Sequence, residues 1–205
     1  QKTNIIEKGI GTILIDFQYK KNIKKYLKDQ KFDLVLYSTP PITFSKTIQY
    51  LKNKYQSICY LSLKDIFPQN AVDLKLMSEN SLLHTFFRKK EIKLYKTSDF
   101  IGCMSPANKQ YILEHNSFID ESKVEVNPNS IEIPGEKYEI DIEKIRNQYG
   151  IPLNITTFIY GGNFGKPQNV DYIIDILETN QNRSDCFFVL VGSGTEFYKL
   201  EKWIS

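Results

Sequence analysis

Short apolar runs alternate along this chain with stretches of helical periodicity, and most of the runs close on Ser, Thr, Asn, Gly or Pro. No other feature of the sequence constrains the fold as much. The runs predict strands over 33–37, 57–63, 99–104, 123–126, 155–160 and 186–191. Between them, Ile10, Ile13, Leu14, Phe17, Ile23, Tyr26 and Leu27 recur at helical spacing. Further helices are expected over 43–54, 79–97, 106–114, 141–149 and 168–179, with a last one from Thr195. In the longest, Leu82, Leu83, Phe86, Phe87, Ile92 and Tyr95 mark the expected apolar side. Ser105 has the position and chemistry of an N-cap, and Pro106 that of a first helical residue. Strands joined by helices imply parallel βαβ units, and so an α/β fold whose sheets are covered on both faces.

Residues 132–140 are polar and carry both Pro and Gly, so a linker is expected there. Beyond it the strand–helix pattern restarts, which divides the chain into 1–131 and 141–205. The second part shows two strands, and the last helix has barely begun at Ser205, so the sequence reads as truncated.

With 41% hydrophobic and 25% charged residues, the 205-residue chain has the composition of a soluble globular protein able to bury a sizeable core. A net charge of +3, with lysines spread along the sequence, does not point to nucleic acid. The many Tyr and Phe residues fall at strand and core-helix positions, as packing residues do. Cys59, Cys103 and Cys186 lie in apolar runs without metal-ligand spacing and read as buried free thiols. With only two histidines and no clustered ligands, no metal site is expected. No segment approaches the roughly 18 apolar residues of a membrane span.

In parallel α/β sheets ligands bind beyond the C-terminal ends of the strands, which singles out four loops. Ser38-Thr39-Pro40-Pro41 is a stiff connector or a source of hydroxyls. Lys64 and Asp65 put a cation and a carboxylate together directly after a strand, as either a surface ion pair or an acceptor-positioning pair. Gly161 to Pro167 combines three glycines, which allow close backbone approach, with Lys166 and a following helix N-terminus. It is either a phosphate cradle or a tight turn. It lacks the spacing of a Walker loop. Gly192-Ser193-Gly194 is weak alone and gains weight beside the third loop.

The order of these segments, STPP, KDIFPQNAVD, SPAN, VNPNSI, a linker, YGGNFGKPQN and VLVGSGTE, resembles family 4 glycosyltransferases, in particular bacterial enzymes of capsule, O-antigen and exopolysaccharide synthesis. The resemblance spans nearly the whole chain. It implies a GT-B fold of two Rossmann-like halves, here truncated at both ends. Residues 1–131 would be the C-terminal part of the acceptor-side domain and 141–205 the start of the donor domain. It implies transfer of a sugar from a nucleotide diphosphate to a glycan or lipid-linked hydroxyl, with retention and without a metal or other cofactor. The enzyme would work in the cytoplasm, peripherally at the inner membrane face.

Lys64-Asp65 falls where many members carry His-Asp, with Lys in place of His. Asn163 stands where many have Arg on the donor diphosphate. The usual phosphate lysine maps to Gln168, so the role is assigned to Lys166, two residues earlier. Ser130 replaces the Gly of a Pro-Asn-Gly stretch. The resemblance thus assigns Lys64 and Asp65 to catalysis, and Gly162, Asn163, Gly165, Lys166, Gly192 and Gly194 to the donor. The family's donor-binding Glu pair is expected outside this span. A nucleotide-sugar epimerase of the same architecture and a non-catalytic Rossmann-type binding module are the alternatives.

Overall fold

The structure, a computed structural model, describes residues 5–133, 135 and 139–205, and of residues 5–10 and 13 the backbone alone. The side chains of Ile10 and Ile13, and positions 134 and 136–138 of the expected linker, lie outside the described residues. The chain divides into two compact units, Gln1–Ile131 and Glu132–Ser205.

The first unit runs α1 (Ile5–Tyr26), β1 (Leu34–Ser38), α2 (Ser45–Tyr55), β2 (Ile58–Leu63), α3 (Gln69–Asp73), α4 (Leu82–Thr97), β3 (Phe100–Cys103), α5 (Pro106–His115) and β4 (Val124–Val126). The four strands are parallel and lie in the order β1-β2-β3-β4, with Leu36 opposite Tyr60 and Tyr60 opposite Phe100. Ser105 caps α5 by accepting from the Asn108 N–H, and Pro106 opens the helix. The sequence reading contains no counterpart of α3, which is a single turn too short to carry a period.

The expectation of helices on both faces does not hold. Tyr37, Cys59, Leu61, Leu63, Ile101, Cys103 and Val124 form one core with Ile48 of α2, Leu94 and Tyr95 of α4, and Ile112 of α5. Residues of the other strand parity, Leu34, Leu36, Ile58 and Phe100, are exposed. The strand order explains this. Crossovers of one hand that always step to the next strand in the same direction place every helix on the same side. The apolar side assigned to α4 is partly shifted: Tyr95 is buried and Phe87 packs against the core as expected, but Leu82 is 92% exposed, while Glu91 and Leu94, outside the assigned set, are buried. Helical spacing located the helix, but the stripe that packs is set by the sheet below it.

The second unit contains α6 (Ile142–Gln148), β5 (Thr156–Asn163), α7 (Val170–Asn180), β6 (Cys186–Ser193) and α8 (Phe197–Ile204). β5 and β6 pair in parallel as a two-stranded sheet. Phe164, Val170, Ile173, Leu177 and Leu200 form its core, with Tyr160, Phe188 and Leu190 packed against them. The opposite face, with Ile159 and Val191, is exposed. Cys59 and Cys103 are buried and Cys186 half-buried, all three free. Burial pushes the Cys103 thiol up to about 11, which keeps it protonated and inert. Among the described residues no helix is long and apolar enough to cross a membrane.

Two polar devices hold the first unit. α2 has no side-chain cap of its own, since Phe44 occupies its N-cap. The cap is supplied by α1: the Thr47 N–H donates to Asp16 Oδ1 at 2.8 Å, and Thr47 Oγ1 donates to the Asp16 carbonyl at 2.7 Å. Thr43 Oγ1 adds a bond to the Thr12 carbonyl at 2.6 Å. The side of α1 that turns inward therefore carries a buried aspartate, while Leu14, Phe17 and Tyr26 stay exposed. At the N-terminal edge of the sheet, Asp99 accepts from the Cys59 N–H at 2.9 Å and pairs with Lys52 Nζ at 2.6 Å, tying α2 and β2 to the start of β3.

Asp16→Ala is expected to lower stability by about 1–2 kcal/mol, the usual value of a lost cap, and Asp16→Asn by less, measured by denaturant unfolding. For Asp99, burial raises the carboxyl, but the bonds from Lys52 and Cys59 outweigh it and hold the group below the ordinary carboxylate range. The stability it adds is complete above an unfolded value of about 3.9 and is lost as pH falls through the lower folded value. Unfolding midpoints followed from neutral to acid pH should show that loss, reduced in Lys52→Met.

Candidate functional site

All chain reversals after the strands gather at their C-terminal ends, and in the first unit three of the motifs singled out above interlock there. Thr39 of the first loop is buried. Its hydroxyl donates to the Asp65 carbonyl at 3.1 Å and accepts from the N–H groups of Lys64 at 3.2 Å and Asp65 at 3.3 Å. The STPP loop is therefore the fastening of the Lys64-Asp65 loop. Lys64 Nζ in turn donates to Asn129 Oδ1, which brings the NPNS stretch after β4 to the loop after β2. Beside this contact Tyr60 lies across β3: its hydroxyl donates to Glu125 Oε1 at 2.6 Å and accepts from Asn127 Nδ2 at 2.7 Å. Gly102 makes this crossing possible, because a Cβ there would stand 2.2 Å from the Tyr60 hydroxyl oxygen.

Lys64 and Asp65 are exposed and line a hollow of about 250 Å³ with Gln69, Asn70, Asp73 and Tyr111. They are neighbours on one loop but form no ion pair with each other among the described residues; Lys64 is taken by the Asn129 amide. The Asp65 carboxylate is thus available to accept a bond from a hydroxyl.

A second hollow, of about 190 Å³, holds residues that the sequence reading passed over. His84, Arg88, Glu91 and His115 line it. The two histidines, far apart in sequence, line the same hollow. Glu91 is buried; Arg88 donates to its Oε2 at 2.6 Å and the Tyr95 hydroxyl to its Oε1 at 2.8 Å. Burial pushes the Glu91 carboxyl up, against the lowering effect of the Tyr95 hydroxyl and the Arg88 charge. Arg88 also donates to the His115 carbonyl at 3.0 Å and to Asn116 Oδ1 at 2.6 Å, so the cluster locks α4 to the end of α5. The spacing of His84, Arg88, Glu91 and Tyr95 along one helix face was the available signal.

In the second unit the Gly-rich segment is only partly a loop. Gly161, Gly162 and Asn163 continue β5, paired with Val191, Gly192 and Ser193. The glycines did not end the strand because β6 runs alongside them with its own backbone. A 3₁₀ turn (Lys166–Gln168) then precedes α7, and Asn169 sits between them at φ 50°. The N–H groups of Gln168 and Asn169 are used inside this turn, by the carbonyls of Gly165 and Lys166 at 3.0 and 3.2 Å. Two donors expected to face an anion are thereby occupied. Lys166 is exposed and unpaired with any carboxylate among the described residues.

The glycines differ in why they are glycine. A Cβ at Gly192 would stand 1.8 Å from the Gly162 carbonyl oxygen, and one at Gly194 would stand 2.2 Å from that of Phe164. Both are required by close backbone packing. Gly165 is buried beneath Asn163, whose Nδ2 donates to Gln168 Oε1 at 3.1 Å, so the two positions where the resemblance places cations hold a neutral pair. Among the described residues Gly161 has nothing within 4 Å of its Cβ position, and Gly162 meets only its neighbour Tyr160, at 3.6 Å. Packing gives no reason for glycine at these two. Among the described residues no group of three or more His, Cys, Asp or Glu could hold a metal ion.

Gly192→Ala and Gly194→Ala are expected to cost at least about 2 kcal/mol each, as overpacking against backbone does, and Gly161→Ala less than about 1 kcal/mol, by chemical denaturation. No protein-family model matches the chain, and no curated protein matches it by sequence. Among solved structures it is similar to the crystal structure of a glycosyltransferase from Rickettsia africae ESF-5, at 12% identity and a TM-score of 0.37, over 83% of this chain and 70% of that one.

Proposed function

We propose that this chain belongs to a nucleotide-sugar-dependent glycosyltransferase of bacterial surface-polysaccharide synthesis, with residues 1–131 serving the acceptor and 141–205 the donor. The observation that carries the reading is the bare backbone of Gly161 and Gly162 at the C-terminal end of β5, close in sequence to the exposed, unpaired Lys166. Glycines that packing does not require, in the last residues of a parallel strand and followed in sequence by a lysine that has no carboxylate partner among the described residues, suit the close approach of a diphosphate. The order of motifs along the chain supports the same reading.

In this mechanism the bond from the anomeric carbon to the diphosphate breaks, and negative charge grows on the departing phosphate oxygens. Lys166 stabilises that charge, with the backbone at Gly161 and Gly162 holding the phosphates close. Asp65 accepts a hydrogen bond from the acceptor hydroxyl and orients it. Lys64, held by Asn129, and Thr39 keep the loop that carries Asp65 in place. The acceptor is a glycan or a lipid-linked sugar; its hydroxyl oxygen forms the new bond to the anomeric carbon, with retention, and its proton passes to the departing phosphate oxygen.

Calorimetry of the full-length protein with UDP and GDP tests the donor end. One of the two should bind, and Lys166→Ala should weaken it about tenfold or more, the value of a charge-assisted hydrogen bond. Asp65→Ala should reduce sugar transfer with unchanged thermal stability. Absence of affinity for either nucleotide would favour a binding module instead, and an epimerised donor among the products would favour the epimerase.

A further inference from the structure

The two hollows at the strand ends of the first unit are neighbours. Ile66, Gln69 and Tyr111 line both, so these side chains form the wall between them. On one side of the wall lies the cluster of Arg88 and Glu91, and on the other the loop of Lys64 and Asp65.

Tyr111 is the aromatic part of that wall, and its neighbours hold it still. His115, one turn further along α5, stacks on the ring with 3.9 Å between centroids and 17° between planes. His115 Nδ1 lies 2.8 Å from the Tyr111 carbonyl oxygen. Arg88 donates to the His115 carbonyl and to Asn116, and is itself paired with buried Glu91. His115 lines the hollow of about 190 Å³ but not the one of about 250 Å³. The stack therefore covers one face of the Tyr111 ring, and the side turned from His115 borders the larger hollow. A ring already immobilised offers contact area to a ligand at little cost in entropy.

The other groups around the larger hollow form hydrogen bonds. Asp65 and Asp73 are exposed, and neither is in an ion pair among the described residues. Asp73 Oδ1 accepts from Gln69 Nε2 at 2.9 Å. Asn70 Oδ1 is buried without a donor among the described residues, an unsatisfied acceptor of the kind that a ligand hydroxyl completes. Asn108 accepts from the Ser105 hydroxyl at 2.5 Å through its Oδ1. One fixed aromatic ring, two carboxylates and several amides thus surround a space of single-ring size. A saturated sugar ring has the matching surfaces, with C–H groups on its faces and hydroxyls at its edge. A flat apolar ligand would leave the carboxylates desolvated and unpaired, and an anion would meet repulsion from both.

We propose that this hollow is the subsite for one uncharged pyranose ring of the acceptor, with the C–H face of the sugar on Tyr111 and its hydroxyls on Asp73, Asn70 and Asn108. Tyr111 and Asp73 are then specificity-determining residues, the first by stacking and the second by rejecting acidic sugars, while Asp65 remains for the reacting hydroxyl. That the sugar is an acceptor rests on the transferase reading; that the hollow binds a sugar ring does not.

Saturation-transfer NMR of the full-length protein with methyl glucoside, methyl galactoside and methyl glucuronide at neutral pH tests the subsite. At least one neutral glycoside should bind, and the glucuronide at least about tenfold more weakly. Tyr111→Phe, which keeps the ring, should bind the neutral glycoside within about twofold of wild type, and Tyr111→Leu at least about tenfold more weakly. Asp73→Asn, at an exposed position, should keep the fold and shrink the discrimination against the glucuronide. Tyr172→Leu, at an exposed tyrosine of the second unit, should bind as wild type does. Absence of binding by both neutral glycosides, equal binding of the glucuronide, unchanged discrimination in Asp73→Asn, or equal loss in Tyr172→Leu would each overturn the proposal. Glycoside binding without affinity for UDP or GDP would keep the sugar subsite and remove its acceptor role, whereas nucleotide affinity without glycoside binding would remove the subsite and keep the donor end.

Discussion

Parallel pairing is the constraint from which the other features follow. Two parallel neighbours cannot be joined by a tight turn, so each connection must travel back along the sheet, and all strands of a unit end at the same edge. In the first unit this places the loops carrying Thr39, Asp65 and Asn129 side by side although 90 positions separate the first from the last. The same constraint aligns Gly162 with Gly192 in the second unit. The hydrogen bonds that define the candidate site are therefore consequences of strand direction, and side chains such as Thr39 only select among arrangements that the sheet already permits.

Strand addition in one direction has a second effect. Each unit has one face sealed by helices and one open. In the first unit the open face carries Leu34, Leu36, Ile58 and Phe100, and in the second Ile159 and Val191. On the open side of the first sheet Tyr60 is bonded to Glu125 and Asn127.

The alternation of apolar runs and helical periods made the strands and their parallel direction legible, because burial on a sheet and on a helix leaves different spacings. It did not reveal which face a helix turns inward. Asp16 and Glu91 are buried where the pattern suggested apolar stripes, since each meets a partner, Thr47 or Arg88, that spacing cannot disclose. Lys64 and Asp65 were legible as the residues that follow a strand, whereas Gly162 continues β5 and Lys166 falls in the turn beyond it. The division of labour among the glycines was not, because it depends on how close Gly162 and Phe164 come to residues 192 and 194.

The bond from Thr47 to Asp16 has a consequence for how the molecule breathes. A helix capped from within can fray and re-form alone, but α2 borrows its cap from α1, and Thr43 leans on the same helix. The amides of the first turn of α2 are therefore shielded from solvent exchange only while α1 stays seated. The two segments constitute one cooperative opening unit, with a single protection free energy in place of two.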